Sequence, residues 1–198
     1  MRQHGKLIAS AVLLAAIVGL PGCTSLQQYA ALREVTFSLD RVDQVELAGI
    51  RLDAIRSYDD LTVVDVARLG TALALERMPL TFTLHIGASN PADNNVDARM
   101  VRFDWTMFIE DRETVSGVFD TPVIIPPGEP QTIPLGIELD LLDFFEDNIR
   151  DLAELALSLS GQGGEPRNIT VTATPTIDTA LGPIRYPGPI RIVSREVG

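Results

Sequence analysis

The stretch Leu80-Thr81-Phe82-Thr83-Leu84-His85-Ile86-Gly87-Ala88 decides the fold. Leu80, Phe82, Leu84, Ile86 and Ala88 occupy every second position. In an extended chain that places them on one face and leaves Thr81, Thr83, His85 and Gly87 on the other. Ser89-Asn90-Pro91-Ala92-Asp93-Asn94-Asn95 follows, rich in residues that fix φ or hydrogen-bond locally, and reads as a turn.

The same period recurs outward in both directions. Upstream, Val35, Phe37 and Leu39 alternate with Thr36, Ser38 and Asp40, and Val45, Leu47 and Ile50 continue less cleanly towards Leu52. Downstream, Val101, Phe103, Trp105, Met107 and Ile109 form a long strand, and Asp111-Arg112-Glu113 is a hairpin turn. Val115 to Phe119 returns with Gly117 as a bulge or close packing point. Pro126-Pro127-Gly128-Glu129-Pro130 breaks the chain, and Ile133, Leu135, Ile137 and Leu139 alternate again. Ile169, Val171 and Ala173 make a strand, Leu181-Gly182-Pro183 a turn, and Ile190 to Val193 the last strand. Pro175, Pro183, Pro187 and Pro189 suit edges and turns rather than a central strand.

Two segments have a helical period. Between Ser57 and Met78, Leu61, Val64, Val66, Leu69, Leu73 and Leu75 suit a short amphipathic helix capped by Ser57 or Asp59. From Leu141 to Ser160, Leu142, Phe145, Ile149, Leu152, Leu155, Ala156 and Leu159 recur at helical spacing after an Asp140 cap. The expected fold is therefore mainly β: an antiparallel β-sandwich with one long helix before the last hairpin and a short helical insertion. The apolar face of the long helix is expected to be core. The alternative is a groove for a lipid or an apolar peptide.

The chain begins with a basic run, Met1 to Lys6, and an apolar run, Leu7 to Leu20, too short for a permanent membrane span. Leu20-Pro21-Gly22-Cys23 closes it with the only cysteine of the chain. This resembles a bacterial lipoprotein signal with its lipobox. The resemblance implies cleavage before Cys23, a diacylglyceryl thioether on its sulfur, and attachment to the membrane through that lipid. The expected organisation is a signal peptide over residues 1–22, a lipidated tether over 23–33, and one domain over 34–198. Thr24 after the lipidated cysteine points to the outer membrane, facing the periplasm, in a source with two membranes.

Removing residues 1–22 would leave 176 of the 198 residues, the length of one domain. It would also remove Arg2 and Lys6, so the net charge of −11 becomes −13. Lys6 is the only lysine, so a Schiff-base or amine nucleophile is excluded from the mature chain. An acidic chain without basic runs is a poor nucleic-acid binder. One cysteine makes no internal disulfide.

The chemistry available is sparse. His85 is the only histidine beyond the signal, and its alternation with Leu84 and Ile86 places it at the surface or an edge, away from the core. No Gly-x-Ser-x-Gly elbow accompanies it for a Ser-His-Asp triad, and one histidine with one blocked cysteine makes no zinc site. Asp93, Asn95 and Asp97 have the oxygen spacing of a calcium loop. However, Ala98 stands where that loop needs glycine and Asp104 where it needs glutamate, so a solvated turn is the reading preferred. Asp59-Asp60 and Glu146-Asp147 could mimic a two-carboxylate site, but nothing fixes their separation. Asn168-Ile169-Thr170 matches a glycosylation acceptor by chance. The expectation is no enzyme, no metal, no cofactor, a monomer, and an unidentified protein or small apolar ligand as partner.

The strand Phe82 to Ile86 running into Ala88-Ser89-Asn90-Pro91, together with Ser116-Gly117, Pro126-Pro127-Gly128, Ile133-Pro134-Leu135 and Leu181-Gly182-Pro183-Ile184, resembles the type 2 late embryogenesis abundant proteins. Their module is also called the water stress and hypersensitive response domain. The resemblance spans roughly Val35 to Val193. It implies a fibronectin-type-III-like sandwich and a role in stress or desiccation tolerance through binding or protecting other molecules. It carries over no catalytic residue. The helical stretch from Asp60 to Met78 is longer than a compact version of that module needs.

Overall fold

The structure, a computed structural model, describes residues 27, 30–56, 58–143, 155–162, 167–179, 182–192 and 196–197. The expected signal peptide and Cys23 lie outside these residues, as does residues 144–154 of the expected long helix.

The chain folds as two antiparallel sheets. The first has the order β2-β1-β3-β7, with β1 Thr36–Leu47, β2 Ile50–Arg51, β3 Pro79–Ser89 and β7 Gln131–Asp140. The second has the order β10-β8-β4-β5, with β4 Ala98–Ile109, β5 Arg112–Phe119, β8 Arg167–Ile177 and β10 Ile190–Ile192. β6 Val123–Ile125 pairs with β4, while β9 Ile184–Arg185 and β11 Glu196–Val197 pair with β8.

The alternation read in the sequence is the core. Leu80, Phe82, Leu84, Ile86 and Ala88 of β3 and Ile133, Leu135, Ile137 and Leu139 of β7 are all buried. They face Phe103, Trp105, Met107, Ile169 and Val171 of the second sheet across one continuous cluster. Burying side chains of this size contributes about 1.5–3 kcal/mol each, which makes this apolar layer the dominant favourable term of the fold. A void between the sheets, lined by Phe37, Ile86, Phe103 and Ile133 among others, has a volume of about 10 Å3.

Register is where the structure departs from the pattern. β1 is one strand of 12 residues, bulged between Leu39 and Arg41 and again between Asp43 and Glu46, with Gln44 at φ 55. The bulges explain the unclean alternation. Each inserts residues without partners and turns the next side chains to the other face. In β4 the register shifts between Met100 and Arg102, so Met100 and Ala98 are buried while Val101 is only half-buried. The hairpin turn is Glu110-Asp111, one residue earlier than expected. Both residues have positive φ (49 and 61), the signature of a type I′ turn. Gly117 is a packing point: a Cβ there would lie 2.7 Å from Cζ2 of Trp105.

Pro175 corrects the expectation for proline, because β8 is a central strand. Its carbonyl accepts from Tyr186 N–H (2.8 Å). In an antiparallel ladder a residue's nitrogen and carbonyl point to the same side. The missing N–H therefore faces the gap between β9 and β10, where no ladder bond is lost.

The helical segments also differ in detail. Helix α1 spans Val63–Ala74, and its N-cap is Thr62 rather than Ser57 or Asp59. Asp65 N–H donates to Thr62 Oγ1 and Thr62 N–H to Asp65 Oδ2, a capping box that satisfies two end donors. At the other end Glu76 adopts φ 51, while Glu76 N–H donates to Leu73 O and Arg77 N–H to Ala72 O. Leu141–Asp143 is a 3-10 turn, and residues 155–159 are helical with Leu155, Ala156 and Leu159 buried.

Candidate functional site

β3 is flanked by β1 and β7, so His85 sits in a central strand, on the outer face of the first sheet, and not at an edge. Its side chain is 14% exposed. The β1 bulge carries Arg41 opposite His85 and brings Asp43 beside it. Nε2 of His85 lies 2.9 Å from Asp43 Oδ2 and 3.4 Å from an Arg41 nitrogen, and Arg41 Nε donates to the same Oδ2 at 3.2 Å. Arginine offers no acceptor and the carboxylate no proton, so Nε2–H donates to Asp43 and the arginine merely lies alongside. Partial burial pushes the Asp43 carboxyl up. The hydrogen bonds from His85 and Arg41 and their charges outweigh it, and the carboxyl lies below its ordinary value of 3.8. Asp43 Oδ1 is shut off from solvent without a hydrogen-bond partner.

Two registers along, Ser38 Oγ donates to Asp40 Oδ1 at 2.7 Å, so the serine on this face is committed to that carboxylate. Both lie over Gly87, where a Cβ would come within 2.6 Å of Asp40. A shallow polar groove of about 610 Å3 continues along the face, lined by Gln44, Glu46, Arg51, Thr81 and Glu138 among others. The arrangement holds charges in fixed pairs on a flat surface and, among the described residues, brings no nucleophile to the imidazole.

Asn90 forms a second constellation. It is 1% exposed. Its Nδ2 donates to Ile125 O (2.9 Å) and Val96 O (3.1 Å), and its Oδ1 accepts from Asn94 Nδ2 (2.7 Å). Asn94 also reaches Ala31 O (3.2 Å), and Gly128 N–H donates to Asn90 O (2.9 Å) at φ 73. Asn90 and Asn94 together thus tie the turn after β3, the end of β6 and the incoming N-terminal segment. The turn residues were legible in the sequence; the three-way tie was not.

The remaining residues singled out in the sequence fall apart from one another. Asp97 pairs with Arg99 (3.0 Å), and Asp104 with Arg102 (3.1 Å) and Arg185 (2.8 Å), which engages two of the supposed calcium ligands with arginines. Among the described residues no group of three or more His, Cys, Asp or Glu could hold a metal. Asp60 Oδ2 accepts from Arg56 N–H. Glu146 and Asp147 lie outside the described residues. Asn168 and Thr170 belong to β8, with Thr170 buried, so this is no exposed acceptor loop.

No family model and no curated protein matches the chain. Solved structures similar to it in part include two. One is a protein from Archaeoglobus fulgidus, at 12% identity and a TM-score of 0.32, over 78% of this chain and 98% of that one. The other is the solution structure of a candidate late embryogenesis abundant protein, at 12% identity and a TM-score of 0.36, over 96% of this chain and 88% of that one. Likeness of this degree bears no weight for function, and the two-sheet architecture stands on its own strand pairings.

Proposed function

We propose that the chain is a non-enzymatic envelope protein, anchored by lipid at Cys23, that works by binding or shielding partners at its outer surface under water or osmotic stress. The observation that carries the surface-binding reading is the filled space between the two sheets among the described residues. The void lined by both sheets is about 10 Å3, at the lower limit for a single water. A ligand-carrying sandwich needs a cavity of several hundred Å3. The lipobox Leu20 to Cys23 supports the anchor, and the Asn90-Pro91 turn with its downstream motifs supports the stress role by resemblance.

The test is survival. Cells lacking the gene, cells with the intact gene and cells with Cys23→Ala are dried and osmotically shocked. Survival is expected to fall in the deletion and to be only partly restored by the unanchored protein. His85→Ala is expected to behave as the intact gene does. Loss of the phenotype on that substitution would redirect the search to the outer face of the first sheet. Equal survival of deletion and parent would overturn the stress role. A second reading, an envelope assembly module, is favoured by the exposed apolar residues of α1.

A further inference from the structure

The two sheets turn unlike faces to solvent. The outer face of the first carries the carboxylates Asp40, Asp43, Glu46 and Glu138 against the arginines Arg41 and Arg51. The outer face of the second reverses that balance, with Arg102, Arg185 and Arg191 against Asp104 and Glu113. In a chain of net charge −11 this is a local excess of positive charge.

Alternation sets what lies between the arginines. Ile169, Val171, Ala173 and Ile177 of β8 are buried, so Thr170, Thr172, Thr174 and Thr176 turn to the outer side. Strand pairing lines these up with their neighbours. Arg191 of β10 stands opposite Thr172, Thr172 opposite Thr106 of β4, and Thr106 opposite Ser116 of β5, a row that crosses all four strands. Among the described residues no hydrogen bond or ion pair engages the Arg191 guanidinium or the three hydroxyls of this row. One row away Thr174 stands opposite Asp104, whose two oxygens are taken by Arg102 (3.1 Å) and Arg185 (2.8 Å). On the other side of the row Phe108 lies between Thr170 and Glu113, half-buried and outside the core cluster.

We propose that this face binds an extended polysaccharide carrying carboxylates at intervals, its hydroxyls on the row from Thr172 to Ser116 and a carboxylate on Arg191. This names a partner class for the surface-binding reading above and rests on that reading. Three properties select the occupant. A hydroxyl both donates and accepts, so a row of them is matched by another row of hydroxyls. A guanidinium presents a planar fork that fits a carboxylate, and Arg191 is the one on this face with its fork unengaged among the described residues. A single free fork suits a sparsely charged chain better than nucleic acid, whose phosphates crowd along the whole polymer and would meet an acidic protein. Phe108 adds an apolar ring against which the C–H side of a sugar can rest. Size agrees. Rows lie about 6.8 Å apart along the strands and strands about 4.8 Å apart, so the patch measures about 20 by 14 Å, a strip for a polymer chain and well short of the ~800 Å2 that a protein partner needs.

The test is affinity electrophoresis of the full chain in non-ionic detergent, through native gels cast with or without carboxymethyl cellulose. The polymer is expected to retard the protein. Hydroxyethyl cellulose, the same backbone without carboxylates, is expected to need about tenfold more for the same effect. The concentration that halves mobility is expected to rise about tenfold for Arg191→Glu. It is expected to rise about threefold for Thr106→Val combined with Thr172→Val, which keeps the shape and strand preference of both residues and removes two hydroxyls. Arg51→Glu makes the same change of charge on the first sheet and is expected to behave as the parent. No retardation of the parent, equal losses for Arg51→Glu and Arg191→Glu, or a valine pair without effect would overturn the proposal. Binding to polyphosphate or to phosphatidylglycerol vesicles without retardation by carboxymethyl cellulose would overturn it too. Survival after drying reports the underlying reading separately: a parent chain that ignores the polymer yet restores survival refutes the glycan and keeps the stress role, and one that binds it without affecting survival refutes the stress role and keeps the glycan.

Discussion

Replacing Asn90 by alanine tests whether its side chain holds the turn after β3 to the end of β6 and fixes Asn94, which in turn meets the N-terminal segment. The substitution removes two donated hydrogen bonds, to Ile125 O and Val96 O, and one accepted from Asn94. Asn90 is 1% exposed, so water cannot replace these bonds at once. A buried acceptor left without its donor costs about 1–3 kcal/mol, and an ordinary exchanged bond about 1 kcal/mol, so the three together give roughly 2–4 kcal/mol after partial relaxation. In a chain of this size that lowers Tm by roughly 5–15 °C. Asn90→Asp keeps Oδ1 but replaces both donors with an acceptor facing two carbonyls, and is expected to cost at least as much. The assay is urea unfolding followed by fluorescence of Trp105, the only tryptophan and 7% exposed. Asp93→Ala in the same turn, exposed, is the control and stays within about 0.5 kcal/mol. A loss below about 1 kcal/mol for Asn90→Ala would refute the three-way tie.

Gly117→Ala is expected to destabilise the domain by about 1–3 kcal/mol and to shift the Trp105 emission, because the new Cβ falls 2.7 Å from the indole; an unchanged urea midpoint would show that the ring moves freely. Asp43 titrates below its ordinary value of 3.8 in the folded chain, so its stabilisation is complete above that pH and is lost as pH falls through the lower folded value. Asp43→Asn is therefore expected to shallow the fall of the urea midpoint below about pH 4; identical acid limbs would count against the pairing with His85 and Arg41. Cys23→Ala is expected to lose incorporation of a fatty-acid probe and to leave the membrane fraction, and equal labelling of parent and variant would sink the anchor.

The strands of the core were legible because burial on one face writes itself into the chain at every second residue. Leu80 to Ala88 and Ile133 to Leu139 needed no tertiary knowledge, and neither did the breaks at Asn90-Pro91 and Pro126 to Pro130, where φ is constrained locally. The candidate site was legible only in its parts. His85 was visible as a histidine on a polar face, but Arg41 and Asp43 reach it through a bulge, and a bulge is a property of two paired strands rather than of one. The same reason hid the shift that buries Met100 in place of Val101.

By itself, then, the sequence determined a mainly β chain, its principal strands, the punctuation between them and the segment that would become α1, since all of these follow from local conformational preference and a one-dimensional apolar period. The tertiary structure decided what each apolar face meets. In β3 the period found a second sheet. In α1 it found solvent, because the helix docks through Asp65, Leu69 and Ala72 and turns Val63 and Val66 outward. A hydrophobic period measures how a side is separated from its opposite, and is silent on which of the two sides the rest of the chain covers.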